Sequence, residues 1–376
     1  MKATMYKDIF FLLSLFSNWA DAESLASNVI PKSFQALVAA KTGDTFSQVA
    51  QIKSLPIPSL EKDEALIRVL YAGINGGCET FRARGEFVFG KNAEAKEPFA
   101  LGAEGVGIVA AVGSDVEGYA VGDAVCFVGS AFAEYSKCKA NFLWSIPEAL
   151  PEYVGLAVSG LTACAMLEQT GDIKEGETVL ITAAAGGAGH FAVQFAKLAG
   201  CTVIGTCGSE EKAKALKALG CDHVINYKSQ DVAAEIKRLA PNGLDAVLEG
   251  VGGKMLQTAL DNLTPEGRLL QIGYISEYPH NPDAATESSK NDVVASELFW
   301  KSQTIKRGKQ TIYGNAWPKD YTAIAASKSR VLKLFSEGKI KSLVDDTKDF
   351  VGLESVSDAI EYMLSGKAIG KVVAKI

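Results

Sequence analysis

The spacing of apolar residues changes once along this chain, close to Ile146-Pro147, and the change predicts two differently built halves. Upstream, short apolar runs at 34–49, 65–71 and 121–128 are interrupted by Gly and Pro signals such as Leu55-Pro56-Ile57-Pro58. Runs of that length bounded by turn residues read as strands. The stretch GAEGVGIVAAVG at 102–113 continues the pattern, with glycines spaced for tight turns and bulged strands. Downstream, apolar residues recur at helical spacing from 154 to 169, and the compact run Val179-Leu180-Ile181-Thr182 follows. Strand-like and helix-like segments then alternate through 203–206, 213–219, 224–227, 232–239, 246–248, 255–263 and 269–272. Such alternation predicts an α/β, doubly wound domain with a six-stranded parallel sheet, because each parallel neighbour needs a crossover. Helices follow Lys319, and Val372-Val373 is expected to return as a strand to the first half.

Composition and charge narrow the function classes. At 376 residues the chain exceeds what one core usually serves, in keeping with two domains. Its formal net charge of -6 argues against nucleic acid as a partner. No run approaches the ~18 apolar residues of a bilayer span, and no basic amphipathic helix marks a membrane-surface adaptor. The seven cysteines are odd in number and form no C-x-x-C pair, so they read as reduced thiols rather than a disulfide or zinc framework. At the N-terminus, Lys2 and Lys7 precede the apolar run 9–16, and Ala20-Asp21-Ala22 resembles a cleavage site. Asp8, the shortness of the run and the odd cysteine count weigh against a secretory leader. Residues 1–32 are therefore set aside as a leader or disordered extension, with the cytoplasm or an organelle lumen such as that of a peroxisome or mitochondrion as the expected location.

The most informative segment is VLITAAAGGAGHFAVQFAKL at 179–198. A buried strand runs through Ala184-x-Gly186-x-x-Gly189 into an amphipathic helix, a dinucleotide fingerprint with alanine in place of its first glycine. Gly186 would admit the pyrophosphate to the backbone, Gly189 would let helix and strand pack closely, and the helix N-terminus would supply N–H groups. Ala185, Gly187 and Ala188 complete the cradle. At the end of the next strand, where an acid would select NAD, this chain has Thr206-Cys207-Gly208-Ser209 followed by Lys212, and Tyr227 ends the third strand. Gly208, Ser209, Lys212 and Tyr227 suit a 2′-phosphate, which favours NADPH. Glu210 and Glu211 read as first-turn acids of a helix capped by Ser209. Ser159 lacks a nucleophile elbow, and the histidines at 190, 223 and 280 assemble no triad; His190 reads as a helix-surface residue.

Together with YAGIN at 71–75, SGLTA at 159–163, GTCGSEEK ending in Lys212, INY ending in Tyr227 and GYISEY at 273–278, these motifs resemble the medium-chain dehydrogenase/reductase superfamily, in its quinone oxidoreductase, zeta-crystallin and prostaglandin reductase branch. The resemblance runs from about Ser33 to the C-terminus. It implies a GroES-like β-rich catalytic domain at 33–154, completed by 311–376, and a Rossmann NADPH-binding domain at 155–310. It also implies a homodimer, paired through strands near 311–313. Where zinc-using relatives carry cysteine and histidine ligands, this chain has Asn75 and Ala103, so no metal is expected.

The activity implied is a zinc-independent, NADPH-dependent reduction of an α,β-unsaturated ketone of the 15-oxoprostaglandin type, with a quinone as the alternative acceptor. A non-catalytic NADPH-binding structural protein is the alternative of another class. By resemblance, Tyr278 would face the enone oxygen, Asn75 would lie by the nicotinamide and substrate, and Thr162 would contact the nicotinamide ring. Gly252, Gly273, Tyr274 and Ile275 would form the loops around the cofactor, and Asn315 and Gly370-Lys371 would approach the same cleft. Phe87, Phe89, Phe99, Phe299 and Trp300 could enlarge an apolar pocket.

Overall fold

The computed structural model describes residues 29–84, 99–278, 293–315, 317–318 and 320–376. In the first half, β1 (Ser33–Ala39), β2 (Ala50–Pro56) and β4 (Phe99–Ala100) form a small antiparallel sheet. Beside it, β3 (Glu64–Gly73), β5 (Glu104–Val112), β6 (Ala124–Val128) and β8 (Leu143–Ser145) pair in that order, with β7 (Tyr135–Lys139) on β3. The run 34–49 is not strand throughout: it leaves the sheet at Ala39, and Phe46–Val49 forms one helical turn. Gly107 shows why β5 is rich in glycine, since a Cβ there would stand 2.2 Å from the Arg68 carbonyl oxygen.

The second half is a seven-stranded sheet. β9 (Thr178–Ile181), β10 (Thr202–Cys207), β11 (His223–Asn226), β12 (Leu244–Glu249), β13 (Leu263–Gln271) and β15 (Gln310–Tyr313) are parallel, in the order β11-β10-β9-β12-β13-β15. The expected six parallel strands are present, and β14 (Thr304–Arg307) adds an antiparallel edge on β15. Helices cover both faces, so the strands read as unbroken apolar runs.

Two expected boundaries shift. Gln310–Tyr313 belongs to the parallel sheet, and it is flanked by β13 and β14, so it offers no free edge for dimer pairing. The helix Tyr321–Ser336 places Val331 and Leu334 in one core with Leu156, Met166, Phe191 and Phe195 from the crossover and the fingerprint helix. The return to the first half begins later: Phe350, Leu353, Val356 and Ile360 join its core, and β16 (Val373–Lys375) pairs antiparallel with β3. The chain goes back only where a second apolar stripe is available to bury.

The crossover between the halves is unusual. It winds as a π-helix over Leu156–Gly160, α over Leu161–Cys164, and π again over Ala165–Thr170. Apolar spacing alone reads all of this as one helix. Wide turns of this kind re-aim individual backbone and side-chain groups, and they concentrate at functional sites.

Candidate active site

The fingerprint turn has the geometry a dinucleotide needs. Ala183 lies at φ 46°, a left-handed conformation uncommon for alanine, and this turns the chain sharply off β9. Gly186 caps the helix Gly187–Leu198, and a Cβ on it would meet only the Ala183 carbonyl oxygen, at 3.2 Å. The space before the helix N-terminus is therefore kept open. Gly189 is required for a different reason, since its Cβ would lie 2.4 Å from Ala183 O and 2.6 Å from Ala184 O. Ala185 is buried, and its carbonyl accepts a bond of 2.8 Å from Gly370 N–H, which ties the C-terminal segment to the cradle. Ala188 sits half-buried in the first helical turn. The small residues of this turn, set at a helix N-terminus, fit the pyrophosphate of a dinucleotide.

His190 corrects the surface reading. It is fully buried, its Nδ1 pairs with Gly186 O at 2.9 Å, and its Nε2 accepts from Leu343 N–H at 3.1 Å. Burial pushes it down to about 4, so it is a neutral imidazole that fastens the fingerprint helix to Leu343, whose carbonyl in turn accepts from Lys371 N–H.

At the end of β10, Gly208 is covered by Tyr227: a Cβ there would stand 2.6 Å from the phenol oxygen and 3.3 Å from Lys228 Cε. Ser209 caps the next helix by accepting from Lys212 N–H at 3.3 Å. The Lys212 ammonium donates to Gly366 O at 2.7 Å, and burial lowers its pKa. Lys212, Tyr227 and Lys228 thus form a cationic, hydroxyl-bearing corner. Lys228 was missed by the sequence reading, although a second cation directly after Tyr227 was the available signal.

A charged cluster joins the two halves. The Lys371 ammonium lies 2.5 Å from Glu104 Oε1 and donates to Asn75 Oδ1 at 2.8 Å. Asn75 Nδ2 donates to Glu104 Oε1 at 2.9 Å, and Glu104 Oε2 accepts from Val158 N–H, within the first π-turn, at 2.9 Å. Glu104 and Lys371 are both buried, and a Cβ on Gly187 would stand 3.5 Å from Lys371 Cδ. The cluster therefore abuts the cofactor cradle. Its sequence signal was a single charge inside an apolar strand run, GAEGVGIV and IGKVVA, which calls for a buried partner.

Tyr278 is a core residue and not part of a surface loop. It stands edge-on to Phe81 and Tyr274, with ring centroids 5.4 and 5.1 Å away. Phe299 and Trp300 close the same aromatic group, and Trp300 Nε1–H donates to the Tyr274 hydroxyl at 2.8 Å. A Cβ on Gly77 would stand 2.9 Å from the Tyr278 hydroxyl oxygen and one on Gly273 3.3 Å from it. The structure thus brings the turn after Asn75 against Tyr278. Ile275 opens a 3-10 turn, Ile275–Glu277, and its side chain lies against Gly76. Gly252, at φ 81°, ends the neighbouring turn and caps the helix Gly253–Asp261, and Thr162 is buried in the α segment of the crossover. Asn315 is less well placed for a ligand: at φ 46°, it aims its amide at Ser302 Oγ, 3.4 Å away. Phe99 belongs to the small sheet in the first half, away from the aromatic group, while Phe87, Phe89 and His280 lie outside the described residues.

Among the described residues no group of three or more His, Cys, Asp or Glu is arranged to hold a metal, and no helix is long and apolar enough to cross a membrane. The thiols of Cys164 and Cys221 are pushed up to about 12, chiefly by burial, and so are poor nucleophiles.

Comparison with known proteins agrees with this geometry. Residues 187–326 match the zinc-binding dehydrogenase family and residues 61–148 the alcohol dehydrogenase GroES-like domain. Prostaglandin reductase-3 of Mus musculus is 37% identical over 357 residues, which is 93% of this chain and 91% of the relative. A probable quinone oxidoreductase of Leishmania amazonensis is 36% identical over 350 residues, 92% of this chain and 99% of the relative. A mycobacterial protein solved in complex with NADPH superposes with a TM-score of 0.75 at 25% identity, covering 92% of this chain and all of its own.

Proposed function

The chain belongs to the medium-chain dehydrogenase/reductase superfamily, and from that premise we propose that it reduces the conjugated double bond of an α,β-unsaturated ketone with NADPH, without zinc. That it is an oxidoreductase of the enone- or quinone-reducing kind follows from its relatives. NADPH as its own cofactor is supported by Lys212, Tyr227 and Lys228 around Gly208, a corner with cations and a hydroxyl where an acid would select NADH. The bound cofactor would supply the hydride.

The observation that carries the proposal is the meeting of Tyr278 with the turn after Asn75 beside the Lys371–Glu104 pair. An enone reduced at its β-carbon develops negative charge on the carbonyl oxygen, and preorganised donors in a dry site stabilise that charge best. The Tyr278 hydroxyl is such a donor, and the surrounding aromatic rings exclude water. Asn75 is locked at both ends, so its amide cannot rotate when substrate arrives. The donor set does not suit zinc: Asn75 is a neutral amide already engaged, Ala103 has no donor atom, and the Glu104 charge is balanced by an ammonium.

A quinone is the second reading, favoured by the likeness to a probable quinone oxidoreductase along nearly the whole chain. A homodimer is part of the proposal, with Thr304–Arg307, the antiparallel one of the two outer strands of the sheet, as a segment able to pair with a second copy.

NADPH oxidation on chelator-treated protein, with a prostaglandin-type enone and a simple quinone in parallel, tests this reading. Turnover of the enone that falls by ~100-fold in Tyr278→Phe is expected. Faster reduction of the quinone would move the assignment to the second reading. NADPH binding without turnover of either acceptor would leave the structural alternative.

A further inference from the structure

Glu249 is among the buried acids that the mechanism leaves unused. Glu249 ends β12, next to β9 in the parallel sheet, and is fully buried. Its Oε1 accepts from Val251 N–H at 2.7 Å and Gly252 N–H at 3.0 Å, and its Oε2 accepts from Gly252 N–H at 3.2 Å. Thr182, just past β9, has its hydroxyl 3.4 Å from both Oε1 and Leu248 O as acceptors, while its own oxygen accepts from Gly250 N–H at 2.9 Å. The carboxylate and the hydroxyl together hold three consecutive N–H groups of one turn. That turn needs holding, because Gly252 and Gly253 both have left-handed backbones, at φ 81° and 49°.

The turn in turn holds the segment that carries Tyr278. Ile275 N–H donates to Gly250 O at 3.0 Å, Ser276 N–H to Val251 O at 2.8 Å, and Ser276 Oγ to Val251 O at 2.6 Å. Tyr278 N–H then closes on Ile275 O at 3.4 Å. A Cβ on Gly252 would stand 3.0 Å from Tyr274 Cβ, so the two segments are also packed side by side.

We infer that Glu249 is a positioning residue, whose ionised carboxylate fixes the Gly250–Gly253 turn and, through that turn, the Ile275–Tyr278 segment. The inference rests on the proposed role of the cleft for its benefit to catalysis, but the mechanical link does not. Charge-assisted acceptance of N–H groups is stronger than acceptance by a neutral acid, so in local openings that free the N–H groups while the carboxyl stays enclosed, protonation loosens the turn; only unfolding that wets the carboxyl has the opposite pH dependence. The group that faces Glu249 with charge is Glu277, which accepts from Gly253 N–H at 2.9 Å; the remaining influences are the N–H groups of Val251 and Gly252 and the Thr182 hydroxyl. Among the described residues no cation offsets burial, which pushes Glu249 up to about 7 and places its titration in the neutral range.

Hydrogen exchange on the cofactor-free wild type is the direct test, corrected for the intrinsic rate at each pH. Protection of amides 250–253 and 275–278 is expected to rise ~10-fold as pH is raised through about 7, while the helix Val232–Leu239 does not change. In Glu249→Gln the two segments stay at the low level throughout. With NADPH and an accepted substrate, the wild-type to variant ratio of kcat/KM should rise across the same step; titration of the cofactor phosphate occurs in both proteins and divides out. A flat wild-type exchange profile, or a variant that tracks the wild type, overturns the inference. If the variant does not fold, the wild-type exchange profile decides alone. An exchange step in protein that turns over no acceptor would keep this inference and sink the proposed activity.

Discussion

Two of the glutamates at 0% exposure, Glu104 and Glu249, show how differently the halves of this molecule treat a buried charge. Glu104 opens β5 in the first half and is met by an ammonium at 2.5 Å, an amide and a backbone N–H. Glu249 closes β12 in the second half and is met by backbone N–H groups, a distant hydroxyl and another acid. The first arrangement cancels charge on the spot and joins β5, the crossover, the Asn75 turn and the C-terminal segment at one point. The second leaves charge uncancelled beside a loop. A cancelled charge makes an anchor, whereas an uncancelled one near neutrality can be gained and lost under ordinary conditions.

The largest expected effect breaks the anchor. Glu104→Gln would leave the Lys371 ammonium buried without its counter-charge, at a cost of ~3–5 kcal/mol of stability. Lys371→Met on top of Glu104→Gln removes the stranded charge as well, and denaturant unfolding should show most of the loss recovered. A single substitution costing less than ~1 kcal/mol would mean that the pair does not hold the halves together.

The second prediction concerns how stability depends on pH. The native Glu249 carboxyl keeps its proton up to about 7, while the unfolded chain loses it near the usual 4.5. Between those values the native state binds more protons, so stability falls as pH rises through this window and levels off above it. The fall expected from this one group is about 3 kcal/mol, and Glu249→Gln should not show it. Thermal unfolding of both proteins across the window measures the difference. Equal slopes would show that the native carboxyl is ionised as easily as one in water. An acid that lowers stability when ionised, yet tightens the loop beneath Tyr278, is a case of function set against stability.

What could be read from the sequence follows from the range of the interactions involved. The fingerprint at 184–189 was legible because strand, turn and helix are contiguous and each glycine answers a local steric need. Five of the six parallel strands were legible from alternation, but Gln310–Tyr313 and the edge strand Thr304–Arg307 were not placed in this sheet, because a short polar hairpin carries little apolar periodicity. The π-turns of the crossover left no trace, since burial of one face looks the same for both kinds of helix. Asn75, Tyr278 and Lys371 were reached by resemblance, while the pairing of Lys371 with Glu104 and the hold of the Gly250–Gly253 turn on the 275–278 segment emerge only once distant segments are brought together. His190 was misjudged because a histidine in an amphipathic helix gives no sign of which element will cover it.

The smallest expected effect comes from Glu277, and it separates two explanations of why Glu249 resists ionisation. If the nearby acid were the main cause, Glu277→Gln would return Glu249 to the ordinary carboxylate range and abolish the stability slope above pH ~5. If burial dominates, as its complete enclosure indicates, the midpoint should move only slightly below about 7 and the slope should persist. Glu277 itself is half exposed and accepts from Gly253 N–H at the start of the helix Gly253–Asp261. Losing its charge there should cost about 0.5–1 kcal/mol, the usual worth of an anion at a helix N-terminus partly screened by water. The same thermal series on Glu277→Gln measures both quantities. A collapse of the Glu249 step would transfer the origin of its perturbed titration from desolvation to repulsion, and Glu249 and Glu277 would then have to be treated as one coupled pair.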